Sequence, residues 1–248
     1  MTTMNRARQA AYDALKRGGT ATASGLLVGA GLKRTWMQGP KQLIGKGAVG
    51  GPGFTISFLP GREDITTKAS YAAKDSIMAA CDIVPEGAVV VIDARGDLVS
   101  GTVGDILLEM LKRRGARGVI TDGAVRDLIG LRRVGLPVWA AANGAPEAIV
   151  GLHYAGHSAT IGCGGVLVMP NDTIVADEDG AVLIPSELTE SYAEQVTKKV
   201  DYELFVLENL AEGRPLKGLY PTDAATEQEY AAWSEKNLKS NESRDVPR

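Results

Sequence analysis

Three charged residues in this sequence have the types and spacing expected of a site for a small anion. Asp105 precedes the adjacent pair Arg126 and Asp127, with 20 residues between Asp105 and Arg126. Arginine offers a planar fork of donors that can hold a carboxylate through two hydrogen bonds. Aspartate supplies a hard oxygen to Mg²⁺, which typically takes one or two protein carboxylates and keeps its waters. A helix-start aspartate beside a surface arginine is the structural alternative.

The surrounding pattern places the Arg126-Asp127 pair at the end of a parallel strand. Residues 88–94, AVVVIDA, are a β-branched run typical of a strand buried on both faces. Residues 103–114 have helical spacing of apolar side chains, and residues 118–121 predict the next strand. A strand-helix-strand unit implies a parallel pair with a right-handed connection. The segment DGAVRD, which carries the pair, therefore follows a strand directly, where the active residues of α/β sheets concentrate.

The other segments predict a mixed α/β chain. Further strands are predicted at residues 54–60 and 136–142, and as several short strands after residue 148. Helices are predicted at residues 4–17, ended by Gly18-Gly19, at a second helix capped by Thr20, and at residues 68–80, 186–212 and 227–238. The basic, Trp-bearing stretch 33–46 has no spacing typical of a nucleotide loop, and we expect a loop that reshapes the pocket.

Composition excludes several classes of function. The chain has 248 residues, a net charge of -3 and 5% aromatic residues, so neither a basic nucleic-acid face nor a base-stacking platform is indicated. No apolar run approaches the ~20 residues that span a bilayer, and the N-terminus is not a signal peptide. Cys81 and Cys163 lie outside any CxxC motif, which predicts reduced thiols and a cytoplasmic protein without membrane or nucleic-acid partners.

Four blocks of the sequence resemble the RraA-like family. These are GPGFTISFLPG, GTVGD with the Arg-Asp pair after a 20-residue spacer, TDGAVRD, and GGVLVMPNDTIVADEDGAVLIP. The family includes class II pyruvate aldolases that act on 4-hydroxy-4-methyl-2-oxoglutarate and 4-carboxy-4-hydroxy-2-oxoadipate. The resemblance implies an α/β fold, an α-β-β-α sandwich of the swivelling β/β/α type. It covers about residues 20–215, leaving an N-terminal helical extension (1–19) and a C-terminal tail with a short helix (216–248).

The resemblance also implies roles for individual residues. Arg126 would hold the pyruvoyl group and stabilise its enolate, and Asp127 would bind Mg²⁺ or Mn²⁺. Asp105 would position a metal-bound water that exchanges protons. Active sites would lie at subunit interfaces of a homotrimer or a dimer of trimers (a homohexamer), completed by a glutamate from the neighbouring subunit. Glu203 matches this glutamate because it stands ten residues before Gly213, although its helix stripe alone predicts a solvated flank.

The resemblance, together with one position where this sequence departs from the family, also predicts the substrate-binding groups. The backbone amides that would fix the substrate carboxylate belong to Gly104, Asp105, Ile106 and Leu107. Arg95 replaces a residue that is usually small in the family, so we expect it to face the cavity and select a different acid.

The residues thus predict a divalent-metal-dependent lyase that releases pyruvate from a 4-hydroxy-2-oxo acid, or decarboxylates oxaloacetate, through a metal-stabilised enolate. A Schiff-base route is disfavoured because the lysines fall mostly in polar stretches. Two alternatives stay open. One is dehydration of a sugar acid at the same metal site. The other is a non-catalytic binding protein, since shorter relatives regulate the endonuclease RNase E by protein contact.

Overall fold

The computed structural model describes residues 6–241, with side chains described for residues 6–237. The chain divides into two compact units, residues 1–194 and residues 195–248. The predicted catalytic domain extends to residue 215, beyond this division. Within residues 6–241, no helix combines the length and the apolar character needed to cross a membrane.

Four parallel strands form the centre of the first unit. They are β3 (Val49–Pro60), β4 (Val89–Asp93), β5 (Gly118–Val125) and β6 (Val138–Asn143), paired in that order. Helix α4 (Asp105–Arg113) connects β4 to β5, and helix α5 (Leu128–Val134) connects β5 to β6. The predicted strand-helix-strand unit and its parallel pairing are therefore confirmed.

Antiparallel strands extend this centre on both sides. The long strand β3 pairs with a different antiparallel strand along each half, which lets the sheet curl at this point. The flanking strands are β1 (Trp36–Met37), β2 (Lys41–Ile44), β7 (Leu152–His157), β10 (Thr173–Asp177) and β11 (Gly180–Ile184), with a separate hairpin of β8 (Ile161–Cys163) and β9 (Val166–Val168). The mixed α/β fold with a curled sheet is the predicted fold class.

Apolar side chains fill both faces of the central sheet. Along β4, Val90 and Ile92 enter one core cluster with the helices, while Val89 and Val91 enter the other. All four are fully buried, as the β-branched run predicts. At about 25 cal/mol per Å² of buried apolar surface, such two-sided burial makes β4 a major source of stability. The strand ends that carry the site therefore project from a well-packed sheet.

Two predictions about local structure are wrong. Residues 68–80 form two short helices, α2 (Lys68–Tyr71) and α3 (Ile77–Asp82), because Ser76 caps α3 with a hydrogen bond from the Ala79 amide. The stretch 33–46 is not a continuous loop: it contributes β1 to the edge beside β11 and β2 to the edge beside β6, and its effect on the pocket stays a prediction.

Helix α1 (Arg6–Gly29) contains the predicted break. Gly19 has φ 78° and ψ 174°, outside the helical region. The second half of α1 begins at Thr20, whose amide and hydroxyl donate to the Asp177 carboxylate of β10 at 2.7 and 2.6 Å. Asp177, rather than Thr20, therefore supplies the capping oxygen, and it fixes α1 to the sheet. Residues 4 and 5 of the predicted first helix lie outside the described residues.

The second unit is helical. Helix α6 (Thr189–Ala211) enters it from the first unit, and helix α7 (Ala224–Asn241) follows. Aromatic rings hold the two helical segments together, and centroid distances of 5.2–6.3 Å join the rings of Tyr202, Phe205, Tyr230 and Trp233. The long helix and the short terminal helix of the prediction are confirmed.

Alanine at Gly19 tests the break in α1. Its backbone conformation is almost restricted to glycine, and a Cβ would lie 2.9 Å from Asp177 Oδ2. We expect Gly19→Ala to lower the free energy of unfolding by about 1–3 kcal/mol. Gly25→Ala, in the same helix with nothing within 4 Å of the added Cβ, should instead stabilise by up to about 1 kcal/mol. Denaturant unfolding measures both, and equal effects would contradict the assignment.

Candidate active site

The loop before α4 is held against the ends of two parallel strands. The Asp97 carboxylate accepts from the amides of Val99 and Ser100 at 2.8 and 2.7 Å, which folds the loop back on itself. Gly101 N then donates to Pro146 O at 3.0 Å, and the Thr102 amide and hydroxyl donate to Ala124 O. The Gly-rich loop therefore lies between the end of β5 and the segment that follows β6.

Arg126 emerges where this loop meets the end of β5. Its amide donates to Val103 O at 3.0 Å, which fixes the backbone. Its guanidinium lies between two carboxylates, with Nε 3.1 Å from Asp127 Oδ2 and Nη1 3.5 Å from Glu147 Oε1. The side chain is 28% exposed, so its donors are held in place but remain reachable from solvent.

Asp127 has an unusual backbone conformation for a residue with a side chain. Its φ of 61° and ψ of 43° lie in the left-handed region, which aspartate tolerates better than most residues. The Asp127 carbonyl starts α5 by accepting from Leu131 N, yet among the described residues its carboxylate caps no helix amide. The carboxylate instead turns toward the loop. Asp127 thus stands at the start of α5, as the structural alternative predicts, but its carboxylate is not used to cap that helix.

Three glycines leave space for the three charged residues of the motif. A Cβ on Gly101 would lie 2.7 and 2.8 Å from Cβ and Cγ of Arg126, and one on Gly104 would lie 2.5 Å from Asp127 Oδ2. A Cβ on Gly130, in α5, would overlap the Asp105 carboxylate. The glycines of the GTVGD block are thus required by the side chains that approach them, rather than by turn geometry alone.

A cavity of about 310 Å³ opens beside Arg126. This volume is at the small end of the range for ligand pockets and suits a compact acid. Burial raises the pKa of the Tyr71 phenol above its usual range, and the Arg126 charge opposes this shift. Tyr71 is therefore a protonated donor at neutral pH. The walls of the cavity include Lys68, Tyr71, Gly101, Gly104, Arg126 and Glu147.

Not all of the predicted residues face this cavity. Gly104 is the residue before α4 and lines it, whereas Asp105, Ile106 and Leu107 line a neighbouring cavity of about 510 Å³ along α4 and α5. The predicted helix start is confirmed, and its first amides lack acceptors within the helix, as at every helix N-terminus. The binding of a substrate carboxylate by these amides stays a prediction.

Arg95 and Glu203 lie outside these two cavities. Among the described side chains, Arg95 is exposed, with φ 57°, and lines neither cavity. Glu203 belongs to the second unit, where its carboxylate lies 3.5 Å from Lys199 Nζ one helical turn away. The predicted roles of both residues depend on contacts beyond these local ones and stay predictions.

Three polar side chains of the Arg126 cavity, those of Lys68, Tyr71 and Glu147, were missed in the sequence. Glu147 follows β6 as Arg126 follows β5, so the rule that polar residues collect at the carboxyl ends of parallel strands could have found it. Lys68 and Tyr71 come from α2, which the sequence predicts as part of one long helix. Their position depends on the break before Ser76, and nothing in the helical spacing indicates it.

The residues at this site fit a hydrated divalent cation. Among the described residues, no three His, Cys, Asp or Glu side chains converge as a closed metal site would require. Mg²⁺ does not need such a cluster, because one carboxylate and several waters suffice. Asp127 offers that carboxylate: it is 40% exposed and is not used as a helix cap.

Comparison with known families identifies the family of this chain. A family model described as RraA-like, Aldolase/RraA, matches residues 16–183, more than half of the chain. The chain belongs to the RraA-like family. The match contains the loop, Arg126, Asp127 and Glu147, and it ends before the second unit.

Relatives of this RraA-like chain differ in what they are named for. A protein from Halalkalibacterium halodurans, provisionally named a 4-hydroxy-4-methyl-2-oxoglutarate aldolase, is 33% identical over 150 residues. That alignment covers 60% of this chain and 65% of the relative, just under two thirds of its length. Protein DlpA of Legionella pneumophila is 31% identical over 137 residues, covering 55% of this chain and 21% of DlpA.

Solved structures share this fold over a larger share of the chain than the family model matches. RraAS2 of Streptomyces coelicolor, described as an unusual member of the RNase ES inhibitor RraA family, has a TM-score of 0.71 at 31% identity. The superposition covers 79% of this chain and 94% of RraAS2. An uncharacterized Pseudomonas syringae protein gives 0.75 at 21% identity over 86% and 93% of the two chains, which shows the fold alone.

Alanine at Gly101 tests how the RraA-like loop holds Arg126. The added Cβ would meet the Arg126 side chain and lie 3.1 Å from its backbone nitrogen, so a rotamer change cannot relieve the overlap. Overpacking of this kind typically costs about 1–3 kcal/mol of unfolding free energy. Gly162→Ala, with nothing within 4 Å of the new Cβ, is the matched control and should change it by less than about 0.5 kcal/mol. A Gly101→Ala protein as stable as the control would refute the contact.

Proposed function

We propose that this chain is a divalent-metal-dependent lyase that cleaves a 4-hydroxy-2-oxo acid to pyruvate and decarboxylates oxaloacetate through the same enolate. The observation that carries the proposal is the pairing of Arg126 with Asp127 at the end of β5. The guanidinium lines a cavity of about 310 Å³, and the neighbouring carboxylate is not used as a helix cap.

The chemistry requires a negative charge to develop on the pyruvate fragment. As the C3–C4 bond breaks, the C4 hydroxyl loses its proton and the electron pair of the bond moves into the pyruvate enolate. Arg126 binds the carboxylate and the 2-oxo oxygen of that fragment through its fork of donors. Asp127 would hold Mg²⁺ or Mn²⁺, which would supply Lewis-acid stabilisation of the same charge when bound. Protonation of C3 then releases pyruvate.

The remaining residues position or complete this site. We assign proton exchange to a water held by Asp105, which would have to reach the ligand from the neighbouring cavity that Asp105 lines beside Gly130. The amides of Gly104 to Leu107 bind the substrate carboxylate, and Arg95 contributes to the choice of acid. Glu203 completes the site of a neighbouring subunit in a homotrimer or a dimer of trimers. The aldolase name of the H. halodurans relative supports the reaction class.

Replacement of Arg126 by lysine tests the assignment of the fork. Lysine keeps the charge but loses the planar pair of donors. With Mg²⁺ or Mn²⁺ and 4-hydroxy-4-methyl-2-oxoglutarate, we expect wild-type pyruvate release in a lactate-dehydrogenase-coupled assay. Arg126→Lys should lower kcat by about 10²–10³, the usual effect of losing one charge-stabilising donor. Arg132→Lys, an exposed arginine on α5, is the matched control and should retain wild-type kcat.

Removal of the metal gives the second half of the test. EDTA should abolish pyruvate release and Mn²⁺ should restore it, while Asp127→Asn should raise the Mn²⁺ concentration needed for half-maximal activity by at least tenfold. Asparagine suits this control because it tolerates the left-handed backbone of residue 127. EDTA-resistant activity, or no pyruvate from any 4-hydroxy-2-oxo acid or oxaloacetate, would contradict the proposal.

The same preparations distinguish the alternatives. Loss of water from a sugar acid, seen as a product 18 Da lighter than its substrate, would identify a dehydratase at the same metal site. The likeness to RraAS2, described as belonging to an RNase ES inhibitor family, supports a regulator as the second candidate. Inhibition of a purified RNase E-type nuclease that survives Arg126→Lys would favour that candidate.

A further inference from the structure

The cavity beside Arg126 has a second cation in its wall. Lys68, the first residue of α2, lines the same 310 Å³ cavity as Arg126, together with Tyr71 from the end of α2. Lys68 lies within the residues matched by the family model but outside the motif of Asp105, Arg126 and Asp127. It is an exposed residue, so burial does not dictate its position.

Local structure fixes the segment that carries Lys68. Thr67 and Ser70 form a capping box, in which each side chain accepts from the backbone amide of the other. Just before it, the Thr66 hydroxyl accepts from Arg62 N at 2.9 Å and lies 3.0 Å from Nδ1 of His153 on β7. These contacts anchor the N-terminal side of α2 to the sheet.

The C-terminal side of α2 is anchored as well. Tyr71 is partly buried and packs against the core cluster that contains the side chains of α3 and α4. Lys68 is therefore attached to one helical turn that is fixed on both sides. The backbone of Lys68 is therefore fixed beside the cavity that the residue lines, and its long side chain can extend into that cavity.

Arg126 and Lys68 differ in the carboxylates that already pair with them. Arg126 lies against two carboxylates, those of Asp127 and Glu147. Among the described residues, the ammonium of Lys68 forms no ion pair. An exposed lysine without an ion-pair partner costs little free energy, because water hydrates its ammonium strongly. Lys68 is thus the cation of this cavity whose charge is available to a ligand.

Charge balance indicates what kind of ligand would use it. Arg126 and Lys68 together carry two positive charges, and Asp127 and Glu147 carry two negative ones. With a divalent cation at Asp127, the site would hold a net charge of +2. A monocarboxylic 2-oxo acid leaves one of these charges uncompensated, whereas a dicarboxylic one neutralises both. The difference between the two ligands lies in the carboxylate that is distant from the 2-oxo group.

We propose that Lys68 is a specificity-determining residue, which binds the distal carboxylate of a dicarboxylic 2-oxo acid while Arg126 holds its 2-oxo acid end. The inference rests on the proposed function for the orientation of the ligand in the cavity. It assigns the choice of a second carboxylate to α2, a segment outside the Gly104–Asp127 motif. Tyr71, protonated at neutral pH, donates a hydrogen bond to the ligand between the two cations.

A matched pair of ligands isolates this contact. 2-Oxoglutarate and 2-oxopentanoate have the same five-carbon chain and 2-oxo acid end, and only 2-oxoglutarate has the distal carboxylate. Calorimetry with Mn²⁺ present gives the Kd of each without any turnover. Lys68→Met removes the charge and keeps an unbranched side chain. Lys74→Met is the control, since Lys74 lies close to Lys68 in the chain and lines neither the Arg126 cavity nor the neighbouring one.

We expect wild-type protein to bind 2-oxoglutarate more tightly than 2-oxopentanoate. Lys68→Met should raise the Kd for 2-oxoglutarate by about three- to tenfold, the usual effect of losing one charge-assisted contact at a half-open site. It should leave 2-oxopentanoate unchanged, and Lys74→Met should change neither Kd. The Lys68 effect should shrink in high salt, because exposed charges are screened. Lys68→Arg should retain most of the preference.

Several results would overturn the inference. They are a wild-type protein without preference for 2-oxoglutarate, an equal effect of Lys68→Met on both ligands, or no effect on either. Because Kd is measured without turnover, failure of the proposed lyase reaction can be distinguished from failure of the Lys68 assignment. A protein that shows the Lys68-dependent preference but releases no pyruvate would contradict the lyase reaction and leave the binding assignment intact. Normal pyruvate release with unchanged Kd values in Lys68→Met would contradict only the role of Lys68.

Discussion

The close approach of three glycines to three charged side chains is the constraint on which the site depends. Each glycine lies on one backbone segment and each charged side chain on another, so the segments can meet only where a Cβ is missing. The pairs are Gly101 with Arg126, Gly104 with Asp127, and Gly130 with Asp105. Packing interiors at crystal-like density leaves no room to relax such contacts. The glycines therefore bring loop, strand end and helix together, and the sheet beneath them supplies rigidity.

The central sheet and its loop could be predicted because they obey local rules. The β-branched run of β4 is buried on both faces, and Arg126 and Asp127 follow β5 as parallel sheets require. The contribution of α2 could not be predicted in the same way. Its boundaries depend on hydroxyl caps at Thr67 and Ser76, which compete with the apolar spacing of residues 68–80. The stretch 33–46 was also misassigned, because its short edge strands form only when β6 and β11 offer them partners.

The direction in which a side chain points is a second property that the sequence spacing does not predict. Asp105 and Gly104 are adjacent, yet Gly104 lines the Arg126 cavity while Asp105 leans over Gly130 and lines the neighbouring one. Spacing places both residues at the start of α4 and does not separate them. Glu203 illustrates a different limit, since its described contact is an ion pair with Lys199 in its own unit. A role in another subunit is a property of the assembly, which a single chain's spacing does not encode.

The central claim is that Asp127 and Arg126 bind a divalent cation and a 2-oxo acid side by side. Crystals grown with Mn²⁺ and oxalate, measured at the manganese absorption edge, test it most directly. We expect one anomalous peak at coordination distance from the Asp127 carboxylate, with oxalate bound between that metal and the Arg126 guanidinium. A fully occupied manganese site elsewhere, or oxalate bound away from Arg126, would contradict the account.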